Sequence, residues 1–517
     1  MGHPRSARGK KPVPGGDTHG VEARTELSAH SSMPRQIPDW VVLTLACVAQ
    51  FMVLLDVSIV NVALPAIKHS LGFSQAELQW VLNAYTLTFA GFLLLGGRTA
   101  DLFGRRRIFL LGLSVFTLAS LLGGFAQDQA MLIGARAAQG LGGAILSPAT
   151  LTILTTTFRE PQARARAMGI WSAVAGAGGA GGALLGGILT EELSWRWILF
   201  INIPIGIIAF VAARAFLQES RAEGERRPLD IAGAVLVTGG LTALVFGVVR
   251  TTSVGWGSWQ TLLSLLVAAG LLGWFVAHEG LVAKSPLMRL SLFRLRGIWT
   301  ANLVMFLTSA ALFAMWFFVS LYLQLVHGYS PLKTGFAFVP QTLAIMVGAQ
   351  VSSRLVLRLG ARPLLVAGGL LSAVGLYFFS RLGVDTAYWS GFFAPSVLVT
   401  LGLGLSFTPL AYAATAGVPR SEAGLASGLV NTSRQIGGAV GLAALATIAT
   451  TKTHDLARAT NQLVALTDGY TLAFRIGSVI ALAAAIAALS MPARKTTKTS
   501  TPEPAPAASP ATARSSD

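Results

Sequence analysis

The chain alternates long apolar runs with short polar segments that carry arginine and glycine. An α-helix rises about 1.5 Å per residue, so about 20 apolar residues cross the hydrocarbon core of a bilayer. The spacing predicts fourteen such helices, at about 40–66, 78–97, 108–126, 131–156, 165–189, 197–217, 229–250, 259–278, 299–326, 335–356, 363–380, 389–416, 424–450 and 470–491. The first run contains LLDVSIVNVALP, Leu54 to Pro65, and Pro65 is expected to mark its outer end. Asp56 interrupts it. A carboxylate at the middle of a spanning helix costs about 2.5–3.5 kcal/mol on insertion scales, so it needs a partner, a function or a shallower position.

Composition agrees with the pattern. Of 517 residues, 53% are hydrophobic and 12% charged, and mean hydropathy is +0.63. Soluble domains carry about 25% charged residues, so the chain reads as an all-α polytopic membrane protein. The net charge of +17 does not point to nucleic acid, because the basic residues cluster in the short segments between apolar runs, as cytoplasmic loops do. With both termini inside, the inner segments collect Arg105, Arg106, Arg107, Arg159, Arg164, Arg166, Arg214, Arg221, Arg226, Arg227, Lys284, Arg289, Arg294, Arg296, Arg358 and Arg362. Lys68, Arg250 and Lys333 stand apart in outer loops. An even number of spans suits two cytoplasmic tails. Residues 1–38 are polar and basic, 492–517 are low-complexity, and both read as disordered. A signal peptide would have a shorter apolar region nearer the start. Cys47 is the sole cysteine, which excludes an intramolecular disulfide and a cysteine-rich metal site.

Glycines reveal a duplication. In GIWSAVAGAGGAGG and GLVNTSRQIGGAVG, Gly169, Gly178, Gly179 and Gly182 match Gly428, Gly437, Gly438 and Gly441 at identical spacing. Arg98, Gly104 and Arg106 match Arg354, Gly360 and Arg362 in the same order, and Pro148 and Pro409 hold comparable places. Two pseudo-symmetric six-helix bundles, 39–217 and 286–491, are therefore expected, with two inserted helices at 218–285. Repeated bundles suggest rocking about a central cavity.

Each motif has a structural reading beside a functional one. In GRTADLFGRRR, Gly97 to Arg107, Gly104 permits a tight turn and Asp101 can cap a helix or pair with an arginine. A plain basic loop explains the same residues. In ARAAQGLGGAILSP, Arg136 either snorkels to the outer surface or faces the bundle interior, and Gln139 and Gly140 beside it favour the interior. Arg434 in NTSRQIGG poses the same question in the second half. Gly176, Gly178 and Gly181 spell G-x-G-x-x-G, but no strand precedes them and the window is of membrane length, so close helix packing is the better reading. The chain has no phosphate loop of the G-x-x-x-x-G-K-[ST] type, no His-Glu-x-x-His and no metal-spaced cysteine pair. Trp195, Arg196 and Trp197 are expected to anchor the outer end of helix 6 at the interface.

Together, LLDVSIVNVALP, GRTADLFGRRR, the Arg136 segment, the glycine-rich helix 5, SWRWILFINIPIG and LVNTSRQIGGAVG resemble the major facilitator superfamily, and within it the fourteen-span drug:proton antiporters of bacteria. The resemblance runs from about Trp40 to Met491. It implies that Asp56 and Arg136 couple transport to protons. It implies that Gly97, Asp101, Gly104 and Arg105 form a conformational switch between helices 2 and 3, and that Gly178, Gly182, Gly186 and Gly187 belong to the helix 5 antiporter motif. Three positions depart from the pattern: Ala183 stands where proline is usual, Ser58 where threonine is usual, and Leu357 matches Asp101 in the second half.

The expected activity is proton-driven efflux of hydrophobic, cationic or amphipathic small molecules by a monomer in the bacterial cytoplasmic membrane. Its partners would be lipid, substrate and protons, with no nucleic acid and no cofactor beyond the proton gradient. A carboxylate held between burial and an arginine can load and release a proton. Asn83, Tyr85, Gln139, Asn302, Trp316, Tyr322, Gln324, Gln341 and Arg434 are the expected cavity residues. Uptake and lipid export by the same fold remain open, as does an aspartate that merely ties helices together. A membrane-embedded enzyme or receptor would need a catalytic constellation or a soluble domain, and neither is legible.

Overall fold

The computed structural model describes residues 38–492 apart from Arg159, 221–228, 416–417 and 419–422; a few helical side chains, that of Asp101 among them, are also outside the description. Both tails, and with them the expectations for Arg159, Arg221, Arg226 and Arg227, fall beyond it.

The helices are α1 Asp39–Leu71, α2 Trp80–Phe103, α3 Arg105–Gly124, α4 Gln129–Thr157 and α5 Pro161–Glu192. They continue with α6 Trp197–Phe216, α7 Ile231–Val254, α8 Trp259–Val282, α9 Arg296–Val326, α10 Pro331–Leu359, α11 Ala361–Phe379 and α12 Tyr388–Thr415. The last two are α13 Ala423–Ala457 and α14 Gln462–Leu489. Among the described residues, thirteen helices are long and apolar enough to cross a membrane. α5, 32 residues long, is the remaining element of membrane length.

The two halves pack by one scheme. α1 lies on α5 as α9 lies on α13; α4 packs on α2 and α3 as α12 packs on α10 and α11; α6 flanks α3 as α14 flanks α11. The halves meet where α2 crosses α13 and α5 crosses α10. The inserted pair α7 and α8 pack on each other, and α7 leans on α2 and α13. α8 is peripheral: 17% of its apolar window is buried, against 72% for α9. Leu262, Leu266 and Trp274 face outward from it, as residues in contact with lipid would.

Glycine sets the closeness of the paired helices. A Cβ on Gly178 would stand 2.9 Å from the Phe51 carbonyl oxygen, and one on Gly186 2.6 Å from that of Ile59. Gly182, between them, faces Leu55 and Ser58. In the second half Gly437 meets the Phe306 backbone and Gly441 that of Ala310. The repeated glycines therefore bring α1 to α5 and α9 to α13 at backbone contact, as small residues do in membrane helices. Ala183, where a proline would bend the chain, continues α5 unbroken to Glu192.

Two sequence expectations need correction. Pro65 does not end the first helix, which runs to Leu71 and closes on Gly72 at φ 67°. Proline removes the N–H that would bond the carbonyl four residues back. That carbonyl, of Asn61, instead accepts from the Ser320 hydroxyl of α9 at 2.6 Å, and Gln324 donates to the next one, Val62, at 2.9 Å. At the same end, Gln75 donates to the Tyr470 hydroxyl at 3.2 Å and Glu191 accepts from the Leu332 N–H at 2.8 Å. These bonds tie the two halves at the Leu71 end of α1. The second correction concerns Trp195, which is buried rather than interfacial. Arg196 lies over its ring at 4.5 Å, and only Trp197 of the trio is exposed.

The α9–α13 contact gives a test. Gly441→Val should lower the unfolding temperature of the detergent-solubilised protein by several degrees, because the added branches meet backbone that cannot yield. Gly270→Val on α8, where a Cβ meets nothing, should leave it unchanged. Equal effects would show that the contact does not set the packing.

Candidate functional site

Asp56 is fully buried. Its helix packs on α5 through the glycine contacts and also on α4, which supplies Arg136 and Gln139 as partners. Arg136, 1% exposed, donates from Nη1 to Asp56 Oδ2 at 2.5 Å. The same nitrogen lies 2.9 Å from Gln139 Oε1, and Arg136 Nε donates to the Val81 carbonyl at 3.0 Å. Gln139 sits three residues along α4, on the same face. Its amide donates to Asp56 Oδ1 at 3.0 Å and to the Ser120 hydroxyl oxygen of α3 at 2.7 Å. Asn202 of α6 also donates to Asp56 Oδ1, at 3.3 Å. The Tyr85 ring of α2 lies 4.7 Å from the Arg136 guanidinium, within cation–π range. Five helices of the first half thus converge on one ion pair. Arg136 does not snorkel outward. The signal for Asn202 and Ser120 was weak: a single Asn in FINIPIG and one of many helical serines.

A cavity of about 240 Å³ lies between the halves. Val53, Leu54, Val57, Ser58 and Asn61 of α1 line it, so the same helix carries the carboxylate of the ion pair and part of the cavity wall. The other half contributes Phe313 and Trp316 of α9, Phe338 and Gln341 of α10, Phe407 of α12 and Arg434 of α13. Tyr85 faces both: its ring stacks under Arg136, and it lines the cavity. Of the expected cavity residues, Tyr85, Trp316, Gln341 and Arg434 line it.

Five others do not. Gln139 belongs to the ion-pair network. Asn83 is buried against Gln79, 3.4 Å away. Asn302 accepts from Ser433 at 2.7 Å. Tyr322 donates to the Gly383 carbonyl at 2.7 Å, and Gln324 joins the tie at the end of α1. Each is a polar side chain bonded within the protein, to a helix or, for Tyr322, to the loop after α11, and the sequence does not distinguish that from a polar wall. Asn61, Phe313 and Phe407 were missed.

The α2–α3 connection forms a second cluster. Gly104 turns the chain at φ 106°, a conformation favoured by glycine. Glu219, beyond α6, caps α3 by accepting from the N–H groups of Arg106 and Arg107 at 3.2 and 3.3 Å. The Arg105 N–H donates to the Ser220 carbonyl at 2.9 Å, and the Arg106 guanidinium to that of Arg214 at 2.6 Å. Arg98 reaches the carbonyls of Ser285 and Pro286, the latter at 2.5 Å. The loop is therefore fastened to the segment after α6 and to the linker before α9. A Cβ on Gly97 would meet only Pro148, at ordinary contact distance. Asp101 lies in the last turn of α2 with its side chain outside the description.

Asp230 and Glu279, at the ends of the inserted pair, are also buried. Asp230 caps α7 through the Gly233 N–H at 2.8 Å and meets His278 Nε2 at 2.8 Å. Burial works to raise its pKa, and the bonds from Gly233 and His278 hold it below the usual carboxylate value.

Comparison with known proteins agrees with this architecture. The cephamycin export protein CmcT of Amycolatopsis lactamdurans is 49% identical over 410 residues, covering 78% of this chain and 84% of that one. The puromycin resistance protein pur8 of Streptomyces alboniger is 42% identical, covering 80% and 82%. Among solved structures, a D-xylose-proton symporter shares the fold with a TM-score of 0.62 at 11% identity, covering 88% of this chain and 98% of that one. Residues 46–442 match the model of the Major Facilitator Superfamily, and the chain belongs to that family.

Proposed function

We propose that this protein exports small amphipathic antibiotics from the bacterial cytoplasm in exchange for protons, as a monomer that alternates access to the central cavity. Both termini would be cytoplasmic, and the proton gradient would be the only energy source. The observation that carries this reading is the buried Asp56–Arg136 pair, whose carboxylate stands on the helix that also lines the cavity. The names of the two relatives, one an exporter of cephamycin and one a puromycin resistance protein, support the direction and the class of cargo.

The network suggests how the proton acts. Ionised Asp56 accepts three hydrogen bonds and binds α1 to α4 and α6. A proton on Oδ2 removes the charge that Arg136 neutralises and takes the place of its hydrogen bond. Arg136 then keeps the Val81 carbonyl, Gln139 Oε1 and the Tyr85 ring. α1 is freed on one face while its other face lines the cavity, so proton binding changes the relative stability of the two orientations of the halves. With the termini inside, the tie made by Ser320 and Gln324 closes the outer end.

In everted membrane vesicles energised to acidify the interior, the wild type should accumulate a transported antibiotic and Asp56→Asn should not. Accumulation by Asp56→Asn at the wild-type rate would exclude proton coupling at this residue. Loss of substrate on acidification would indicate uptake.

A second expectation concerns stability. Asp56→Asn leaves a buried guanidinium without its counter-charge, at a cost of about 3–5 kcal/mol. The double change Asp56→Asn with Arg136→Gln should recover most of the lost thermal stability and still fail to export. A double variant no more stable than the single one would show that the charge pair is not what holds α1 to α4.

A further inference from the structure

Building on the export reading, we infer that Arg434 and Gln341 form an anion-recognising subsite in the central cavity, so that the exported compounds carry a carboxylate beside an aromatic or apolar body. Among the described residues the cavity wall holds one formal charge, that of Arg434, and no acidic side chain. Among the described residues Arg434 has no carboxylate in ion-pair range. Its Nε donates to Asn431 Oδ1 at 3.1 Å, which leaves the two terminal nitrogens for a ligand. Gln341 is 2% exposed, and neither its amide nitrogen nor its oxygen has a partner. Tyr85 is 1% exposed, and among the described residues its hydroxyl is also without one. Buried polar atoms are rarely left unpaired, and each costs free energy until something meets it. The unmet groups of Tyr85 from α2 and Gln341 from α10 share one cavity with the Arg434 guanidinium of α13, and together they mark a place where a ligand completes the bonding. A guanidinium with neutral N–H and O–H donors suits a carboxylate.

A cationic cargo fits less well. It would meet Arg434 across a wall of low dielectric, with no carboxylate to offset the repulsion. Asp56 cannot supply one, being fully buried and already bonded to Arg136, Gln139 and Asn202. The remaining wall accommodates the body of the ligand: Trp316 lies 6.2 Å from Phe313, centroid to centroid, with Phe407 also on the lining. Gln341 and Arg434 come from the second half and Tyr85 from the first. A bound carboxylate would therefore touch the residue whose ring rests against Arg136, joining the cargo site to the proton site through one side chain.

The test uses the full-length protein and three probes: benzylpenicillin, its methyl ester and ethidium. Binding to the purified protein is measured by equilibrium dialysis, and transport in proteoliposomes under an imposed pH gradient. Benzylpenicillin should bind at least about tenfold more tightly than its ester. Arg434→Gln should abolish that preference while ester binding persists, which shows the variant is folded; Arg434→Lys should retain part of it. Gln341→Leu should weaken acid binding more than ester binding. The inference is overturned if the wild type binds ethidium or the ester more tightly than the acid, if it binds none of the three, or if the preference survives Arg434→Gln. Arg434-dependent binding without transport against a gradient would leave the subsite standing and reject the export reading. Transport of the acid unaffected by Arg434→Gln would do the reverse.

Discussion

The ion pair between Asp56 and Arg136 is the constraint around which the first half is arranged. Neither charge is tolerable alone in a dry interior, and together they require hydrogen-bond partners for every remaining lone pair and proton. α2 gives a backbone carbonyl and a tyrosine ring, α3 a serine, α4 a glutamine and α6 an asparagine. Five helices are thereby fixed relative to one carboxylate. What happens to that carboxylate is felt by all of them, and α1 and α2 also face the cavity.

Glycines set the closeness of the other paired helices. α1 approaches α5 until glycine Cα atoms meet carbonyl oxygens, and α9 approaches α13 in the same way. Where α5 crosses α10, between the halves, Gly187 lies against Pro331 and Gly335 against Ala183. Smooth contacts of this kind carry few side-chain bonds that would have to break if the halves moved. The specific ties between the halves are concentrated instead at the Leu71 end of α1, where Pro65 frees the Asn61 carbonyl for Ser320, while Arg98 of α2 holds the linker before α9.

Much of this was legible in the sequence because its signals are periodic or rare. Fourteen apolar runs and a glycine spacing repeated in the second half define the two bundles. A lone acid in an apolar run singles out Asp56, and small polar neighbours turn Arg136 inward. Partners of ordinary type were not legible. Asn202 and Ser120 look like any polar residue in a membrane helix, and Glu219 like any acid beside a helix end. Gln139, Asn302 and Gln324 read as cavity residues because the sequence shows that a helix carries an amide but not which way the amide points. Pro65 was read as a terminus because its effect depends on Ser320, which lies 255 residues away in the chain.

Export coupled through this pair requires that Asp56 gain and lose a proton in each transport cycle. Infrared difference spectroscopy of the reconstituted protein observes this directly, through the carbonyl stretch of a protonated carboxyl that is missing in Asp56→Asn. The account predicts that this band grows as the pH is lowered in the absence of cargo and diminishes when cargo binds. A carboxylate at Asp56 that remains ionised throughout, while export continues, would contradict it.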